Sequence, residues 1–235
     1  SLSRGGKYTL NKGHRYEIKF ILDNAKLSEI YQWIINSTFA KKSFPDRKVN
    51  SLYFDDENYS CVRDNLAGIS DRKKMRLRWY GQKEGSCNPS FEIKYRQGRL
   101  GWKESHSIGA LEGVLMDLNL EEIQLQCENE LIRKKVILDT HLFPTLQTVY
   151  DREYYVDPEG IRLTVDKNIK FYNSLLYRKL NQDLETNYPL QVMEIKFSPS
   201  LKDKVAALIQ SFHMTPKRHS KYLVGMSALG FSVYL

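Results

Sequence analysis

The sequence predicts an α+β chain built on an antiparallel β-barrel tunnel of about eight strands, with flanking and inserted helices. The first sign is an alternation of charged and apolar residues that recurs in five strand-length segments. Arg15, Glu17 and Lys19 alternate with Tyr16, Ile18 and Phe20, and Arg76 and Arg78 stand between Met75, Leu77 and Trp79. Glu92, Lys94 and Arg96 alternate with Phe91, Ile93 and Tyr95, and Arg162, Thr164 and Asp166 with Ile161, Leu163 and Val165. Glu194 and Lys196 between Met193, Ile195 and Phe197 complete the series. Successive strand side chains point to opposite faces, so each segment has one apolar wall and one ionic wall. The second sign is the helical period of the stretches that interrupt these strands. Turned inward on a closed barrel, the ionic walls make a tunnel lined with cations, which suits a polyanion.

The elements follow in order. Residues 1–13, polar and Gly-containing, read as a flexible leader to a single domain over 14–235. A first strand at about residues 14–22 runs into Asp23-Asn24, a helix cap, before a helix with Leu27, Ile30, Ile34 and Ile35 at helical spacing. A second strand over 49–54 ends at Asp55-Asp56-Glu57-Asn58, where a solvated turn or helix cap outweighs a metal site on composition. Strands near 73–80 and 90–97 are joined by the Gly, Ser, Asn and Pro of residues 81–89, a hairpin loop. A short strand then holds Trp102, Lys103 and Glu104. From about 109 to 140 the pattern is helical, with Leu111, Val114, Leu115 and Leu118, then Ile123, Leu125, Leu131 and Ile132 among charges. This stretch is an insertion between two groups of strands. Strands resume at 146–156 and 161–166, split by the turn Asp157-Pro158-Glu159-Gly160. Residues 169–172 extend or follow them, and 190–197 is the last strand. Ser198-Pro199 starts a helix with Val205, Leu208 and Ile209 on one stripe. Lys217, Arg218, Ser220 and Lys221 precede a final helical segment of small residues.

At 235 residues the chain has an upper-range length for one barrel domain and is short for two. Thirty-six Lys and Arg against 28 Asp and Glu give a formal charge of +8 and a pI near 9.2, which points to an anionic partner. Cys61, Cys87 and Cys127 are far apart, with no CxxC pair and no His at metal-ligand spacing. They support neither a zinc site nor a disulfide framework, and a reducing interior, the cytoplasm, is their natural home. No run of about 18 apolar residues is available to span a membrane. Gly-rich phosphate loops, GxSxG elbows and HExxH helices are absent from the sequence. Tyr53, Trp79 and Tyr95 are interleaved with bases, but alternation turns them to the core, which argues against a nucleic-acid stacking platform. The histidines lack catalytic spacing; only His219 lies in the terminal basic cluster.

Inward charges carry a cost. Ammonium and guanidinium groups within ~6 Å of one another repel and lose hydration, which raises the energy of an empty site. A chain of phosphates relieves that cost, since Arg gives forked bonds to oxygen and Lys a compact charge. Ordinary ion-pair ladders on an exposed sheet account for any one such strand, and less well for five. A divalent metal bridging phosphate oxygens needs only one or two carboxylates. Glu194, on the same strand face as Lys196, can hold one beside a phosphate-binding cation. Glu17, Glu92 and Asp166 either assist it or pair with neighbouring bases.

These residues resemble the VTC domain, a polyphosphate polymerase domain of the triphosphate tunnel metalloenzyme superfamily, which also contains the CYTH proteins. The resemblance rests on Arg15-Tyr-Glu-Ile-Lys-Phe20, Met75-Arg-Leu-Arg-Trp79, Phe91-Glu-Ile-Lys94 and Val149-Tyr-Asp-Arg152. It continues through Ile161-Arg-Leu-Thr-Val-Asp166, Met193-Glu-Ile-Lys-Phe197 and Pro216-Lys217 with Ser220-Lys-Tyr222, in family order over about residues 14–229. It implies an antiparallel β-tunnel that transfers the γ-phosphate of ATP to a growing polyphosphate chain. By that likeness Lys19, Arg76, Arg78, Lys94, Lys103, Arg152, Arg162, Lys196, Lys217 and Lys221 grip the phosphates, with Tyr150 and Ser220 as further contacts. Glu194 holds Mn²⁺ or Mg²⁺, and the catalytic set is Arg76, Arg78, Lys94, Arg152, Arg162 and Glu194. The implied partners are ATP and polyphosphate, with no nucleic acid; a membrane-bound partner subunit is not legible in the chain.

The sequence departs from related tunnel hydrolases at their opening ExExK pattern. Here it reads Arg15-Glu17-Lys19, a base replacing one metal-binding acid, which favours transfer with a single metal over hydrolysis with two. Lys217 and Lys221 match the family's terminal cluster only approximately. Two alternatives stay open: a metal-dependent tripolyphosphatase or nucleoside triphosphatase using the same pocket, and a non-catalytic module that binds polyphosphate or inositol polyphosphates.

Overall fold

A computed structural model of the chain describes residues 15–81, 88–98, 100–182 and 184–230. The expected leader, most of the 81–89 hairpin loop with Cys87, and residues 231–235 lie outside the described residues. The first strand, β1 (Tyr16–Leu22), leads into α1 (Asn24–Ser37), where the Asp23 carboxylate accepts the Lys26 backbone N–H at 2.8 Å. Two further pairs of elements follow: β2 (Lys41–Asp55) with α2 (Ser60–Ala67), then the hairpin β3 (Asp71–Tyr80) and β4 (Ser90–Gln97). Next come β5 (Leu100–Ser107), α3 (Leu120–Arg133), β6 (Phe143–Val156) and β7 (Arg162–Asn173). The remainder is β8 (Glu185–Asn187), β9 (Gln191–Phe197), α4 (Lys202–Ile209) and α5 (Lys221–Ala228).

The strands form one nine-stranded sheet, β1-β9-β7-β6-β2-β3-β4-β5 with β8 on β7, and each pairing is antiparallel. This is the expected α+β class with one strand more than the count of about eight. Among the described residues the sheet does not close by backbone pairing. It curls until Lys94 of β4, the strand next to the far edge, and Glu17 of β1 stand 3.4 Å apart, so side chains bridge the gap.

Helices cover the outer, apolar faces. Phe20, Leu22, Leu163, Val165, Met193 and Ile195 pack against Ile30, Trp33 and Ile34 of α1 and Val205 of α4. At the other end of the sheet, Leu52, Phe54, Met75, Leu77, Phe91 and Ile93 meet Leu111, Leu115, Leu120, Ile123, Cys127 and Leu131 from the 109–133 insertion. Both apolar faces are taken by helices, so the ionic faces are left to face each other.

Several expectations are corrected. Strand β2 begins at Lys41, well before residue 49, because backbone pairing with β6 through two bulges holds a polar, Pro-containing stretch. Ile35, Leu125 and Ile132 are exposed, since α1 and α3 each bury only one stripe. The insertion is less helical than its pattern suggests: two short 3-10 turns precede α3, whose start is fixed by an Asn119–Glu122 capping box. The acidic turn at residue 55 is a helix cap. Asp55 is fully buried and accepts the Cys61 and Val62 N–H groups at 2.9 and 3.0 Å. Residues 169–172 belong to β7, and the turn at 157–160 is tied by Asp157, which accepts the Ile161 N–H at 2.8 Å.

One helix lies on the inner side. In α5 the Tyr222 ring stacks on Tyr53 of β2, 4.6 Å between centroids and 2° from parallel, and its hydroxyl donates to Asp55 at 3.0 Å. Gly225 lets the helix approach, because a Cβ there would sit 2.5 Å from Leu146 and 2.6 Å from Phe171. Gly225→Ala is therefore expected to cost about 1–3 kcal/mol by overpacking, despite alanine's better helix propensity, as a lower urea midpoint with unchanged m-value will show.

Candidate active site

The strand registers decide which side chains share the inner wall, because residues directly opposite in an antiparallel pair lie on the same face. Lys19 faces Glu194, Glu17 faces Lys196, and Lys196 in turn faces Arg162. Arg152 faces Asp166 on one side and Arg47 on the other. Ser51 faces Arg78, Tyr53 faces Arg76, Arg76 faces Glu92, and Lys94 lies between Lys74 and Lys103. Charges spread from residue 17 to residue 221 thus meet on one concave surface.

The wall is laced with acids. Glu92 accepts from Arg76 at 2.8 Å and from Lys103 at 3.0 Å. Asp166 takes a forked pair of bonds from Arg152 at 2.7 and 2.9 Å and one from Lys221 at 2.7 Å. Glu17 lies 3.4 Å from Lys94 and 3.7 Å from Lys196, which is also 3.4 Å from Glu194. Arg78, almost wholly buried, donates instead to Ser51 at 3.2 Å and to the Tyr150 hydroxyl at 3.1 Å. Lys19 donates to the His219 carbonyl at 2.8 Å.

Titration reflects the crowding. Burial opposes ionisation of Glu92, yet Arg76, Arg78 and Lys103 outweigh it and hold the carboxyl at about 2. Glu194 is held at about 2 in the same way by Lys196, Lys19, Arg152 and Lys94, and Asp166 is lowered by Arg152 and Lys221. Burial pushes Lys94 down, and Lys196, Lys19 and Arg76 add to it against the pull of Glu17, leaving it at about 8. Lys19 and Lys74 are lowered for the same reasons. Burial would raise the Tyr150 phenol, but Arg152, Arg78 and Lys221 lower it. His219, buried beside Lys221 and Lys19, drops to about 4 and is neutral at pH 7.

Most sequence-predicted residues gather here: Lys19, Arg76, Arg78, Lys94, Lys103, Tyr150, Arg152, Glu194, Lys196 and Lys221. Arg162 shares the inner face but is exposed at its rim beside Lys196. Lys217 is held near by its backbone, its N–H donating to the Lys19 carbonyl at 2.9 Å, while its side chain is exposed. Ser220 caps α5, accepting the Leu223 N–H at 3.4 Å, and this cap aims Lys221 inward. Tyr53 is on the ionic face, not the core side, and is buried there by Tyr222. Lys74 and Ser51 were missed. Lys74 continues the Arg76–Arg78 alternation by one step, a legible signal; Ser51 carried none.

Glu194 fits a divalent ion. It is 8% exposed, and its buried Oε1 accepts no hydrogen bond among the described residues, although the Lys196 ammonium lies 3.4 Å from it as an ion pair. Among the described residues no three His, Cys, Asp or Glu side chains cluster as metal ligands, so the remaining positions would fall to phosphate oxygens and water.

The VTC domain model matches residues 14–230. The chain is 24% identical over 235 aligned residues to vacuolar transporter chaperone complex subunit 2 of Saccharomyces cerevisiae, covering 76% of this chain but only 28% of that protein's length. Its fold resembles HpAC1 from Hippeastrum, a protein with a dominant triphosphatase activity, at TM-score 0.51 and 14% identity over 90% of this chain and 94% of that one. PH1819 from Pyrococcus horikoshii gives TM-score 0.50 and 12% identity over 92% and 98%. At these identities the likeness is one of fold.

The depressed carboxylates set the acid stability. Their contribution is complete above the unfolded value near 4 and is lost as pH falls toward their lowered folded values, about 2 for Glu92 and Glu194. Asp166→Asn, which leaves Arg152 and Lys221 buried without an acid, is expected to cost about 3–5 kcal/mol at pH 7 and to flatten the loss of stability between about pH 4 and 2. Urea unfolding across that range measures both effects.

Proposed function

Because the chain belongs to the VTC domain family, we propose that it is a polyphosphate polymerase, transferring the γ-phosphate of ATP to the end of a polyphosphate chain held on the cationic wall. The observation that carries this reading is the meeting of Lys19, Arg76, Arg78, Lys94, Arg152, Lys196 and Lys221 around Glu194, a buried carboxylate whose Oε1 accepts no hydrogen bond among the described residues. Phosphoryl transfer asks for in-line placement and neutralisation of oxygen charge more than for covalent chemistry by the protein. Terminal phosphate oxygen of the acceptor chain attacks the γ-phosphorus, the bond to the β–γ bridging oxygen breaks, and ADP leaves with that electron pair.

Each wall residue has a task in this scheme. Arg152, fixed by its fork to Asp166, and Arg76, fixed by Glu92, present guanidinium edges that need no reorientation when phosphate arrives. Arg78 and Tyr150, bonded to each other, offer their remaining donors to a phosphate oxygen. Lys19, Lys94 and Lys196 supply compact charge. Glu194 would hold Mn²⁺ or Mg²⁺, which would supply neutralisation of phosphate charge. Placement of a base, Arg15, where related hydrolases carry an acid supports transfer over hydrolysis. The named relative is a subunit of a complex, and by analogy a membrane-bound partner that takes the product belongs to the same proposal.

Purified protein with ATP and Mn²⁺ is expected to make ADP and an equivalent amount of phosphate in chains, resolved on gels. Release of orthophosphate without chains points to the hydrolase, and tight anion binding without turnover to the binding module. Glu194→Gln is expected to lower kcat at least about 100-fold, roughly 2.7 kcal/mol in transition-state stabilisation, while inorganic tripolyphosphate still binds in EDTA.

A further inference from the structure

Beyond Arg78 and Arg152 the rim of the wall turns aromatic. Tyr80 follows Arg78 by two residues on β3 and Tyr154 follows Arg152 by two on β6, so both rings stand on the inner face one step nearer its edge. Across the bulged β2–β6 pairing, Phe44 lies opposite Tyr154 and Arg47 opposite Arg152. Three rings thus surround one guanidinium. Its central carbon is 3.8 Å from the Tyr80 ring centroid, 4.6 Å from that of Phe44 and 5.0 Å from that of Tyr154, while Nε and Nη2 donate to the Tyr154 hydroxyl at 3.1 and 2.9 Å. Arg47 makes no ion pair among the described residues. Core packing does not account for the outer two rings, since Phe44 is 49% and Tyr80 36% exposed on a face given largely to charge. Beside them opens a hollow of about 580 Å³, lined by Arg47, Tyr80 and Gly81 together with the polar groups of Lys48, Asp151 and Asn168. That is room enough for a small organic ligand.

The chemistry of the rim selects its ligand. Phosphate oxygens gain nothing from a ring face, whose π electrons are negative, whereas a nucleobase stacks on tyrosine and on the plane of an arginine. Two strand residues advance about 7 Å, so the rings stand about one ribose away from the donors of Arg78 and Arg152. The geometry points to a nucleoside site at this mouth of the tunnel, in which Tyr80, Arg47 and Phe44 hold the base and sugar of the triphosphate donor while Arg78 and Arg152 hold its phosphates. It rests on the reading that the tunnel takes a nucleoside triphosphate, and it adds an end to that reading: the base stays at the β2–β3–β6 rim and the phosphates point inward. Every base has a π face, so a stacking site of this kind favours nucleoside triphosphates over inorganic phosphate chains without selecting one base.

Calorimetric titration with ATP and with inorganic tripolyphosphate, both in EDTA at one ionic strength, separates the base from the phosphates. Tyr80→Ala is expected to weaken ATP binding about tenfold, in the range for loss of one stacked base, and to leave tripolyphosphate within about twofold of wild type. Tyr80→Phe keeps the ring and is expected to bind both ligands as wild type does. Equal losses for the two ligands in Tyr80→Ala, or no loss for either, overturn the site. Saturation-transfer NMR of ATP with the unaltered protein needs no variant. The adenine H2 and H8 protons are expected to receive saturation at least as strongly as the ribose protons, and silent adenine protons also overturn the site. A wild type that binds tripolyphosphate yet fails these tests keeps the anion tunnel without the nucleoside site, whereas one that binds neither ligand removes both.

Discussion

Mutual repulsion among cations held on one concave wall is the constraint around which this molecule is arranged. Two unit charges a few ångströms apart interact by about 4 kcal/mol in a partly shielded protein setting, and this wall holds many such neighbours. The fold answers with carboxylates placed one strand away from the bases they serve. Backbone registers that put Asp166 opposite Arg152 and Glu92 opposite Arg76 give those pairs without any search by flexible side chains. The same registers commit the opposite faces to apolar residues, so the position of the helices outside is a consequence of the charge inside.

Acids that quiet the empty wall also compete with whatever anion comes to it. Forked, fully made pairs such as Arg152–Asp166 hold geometry, and they surrender little when phosphate approaches from the open side. Lys94 and Lys196 meet Glu17, and Lys196 also Glu194, only at longer distances of 3.4 to 3.7 Å, so these pairs are the looser ones. A wall graded in this way binds by redistributing interactions it already has. It is stable enough to fold and still short of full neutrality.

The sequence made the inner wall legible because alternation with period two is a local property of each strand, and Asp23 and Asp157 announced a cap and a turn by chemistry that acts over a few residues. What was illegible was set by distant partners. Lys41 to Lys48 carries no alternation and includes Pro45, and becomes strand only because β6 supplies a bonding edge. Ile35 and Ile132 fit a helical period, but a period does not say which stripe finds a neighbour. The place of Ser220 among bases did not reveal that its hydroxyl accepts the Leu223 N–H at the start of α5. Tyr53 shows the same limit: alternation fixed its relation to Phe54, and only the arrival of Tyr222 decided that an aromatic ring on the ionic side would be dry.

Helix α5, on the inner side of the sheet, is the part that ribosomes deliver last among the described elements. All nine strands precede α5 in the chain. During synthesis Asp55, Tyr53, Asp166 and the small notch that receives Gly225 are therefore complete in sequence but still open to water. Until residues 221–228 seat themselves, Asp166 lacks the Lys221 ammonium and Asp55 the Tyr222 hydroxyl, so the inner wall gains its last polar bonds together, in one late step.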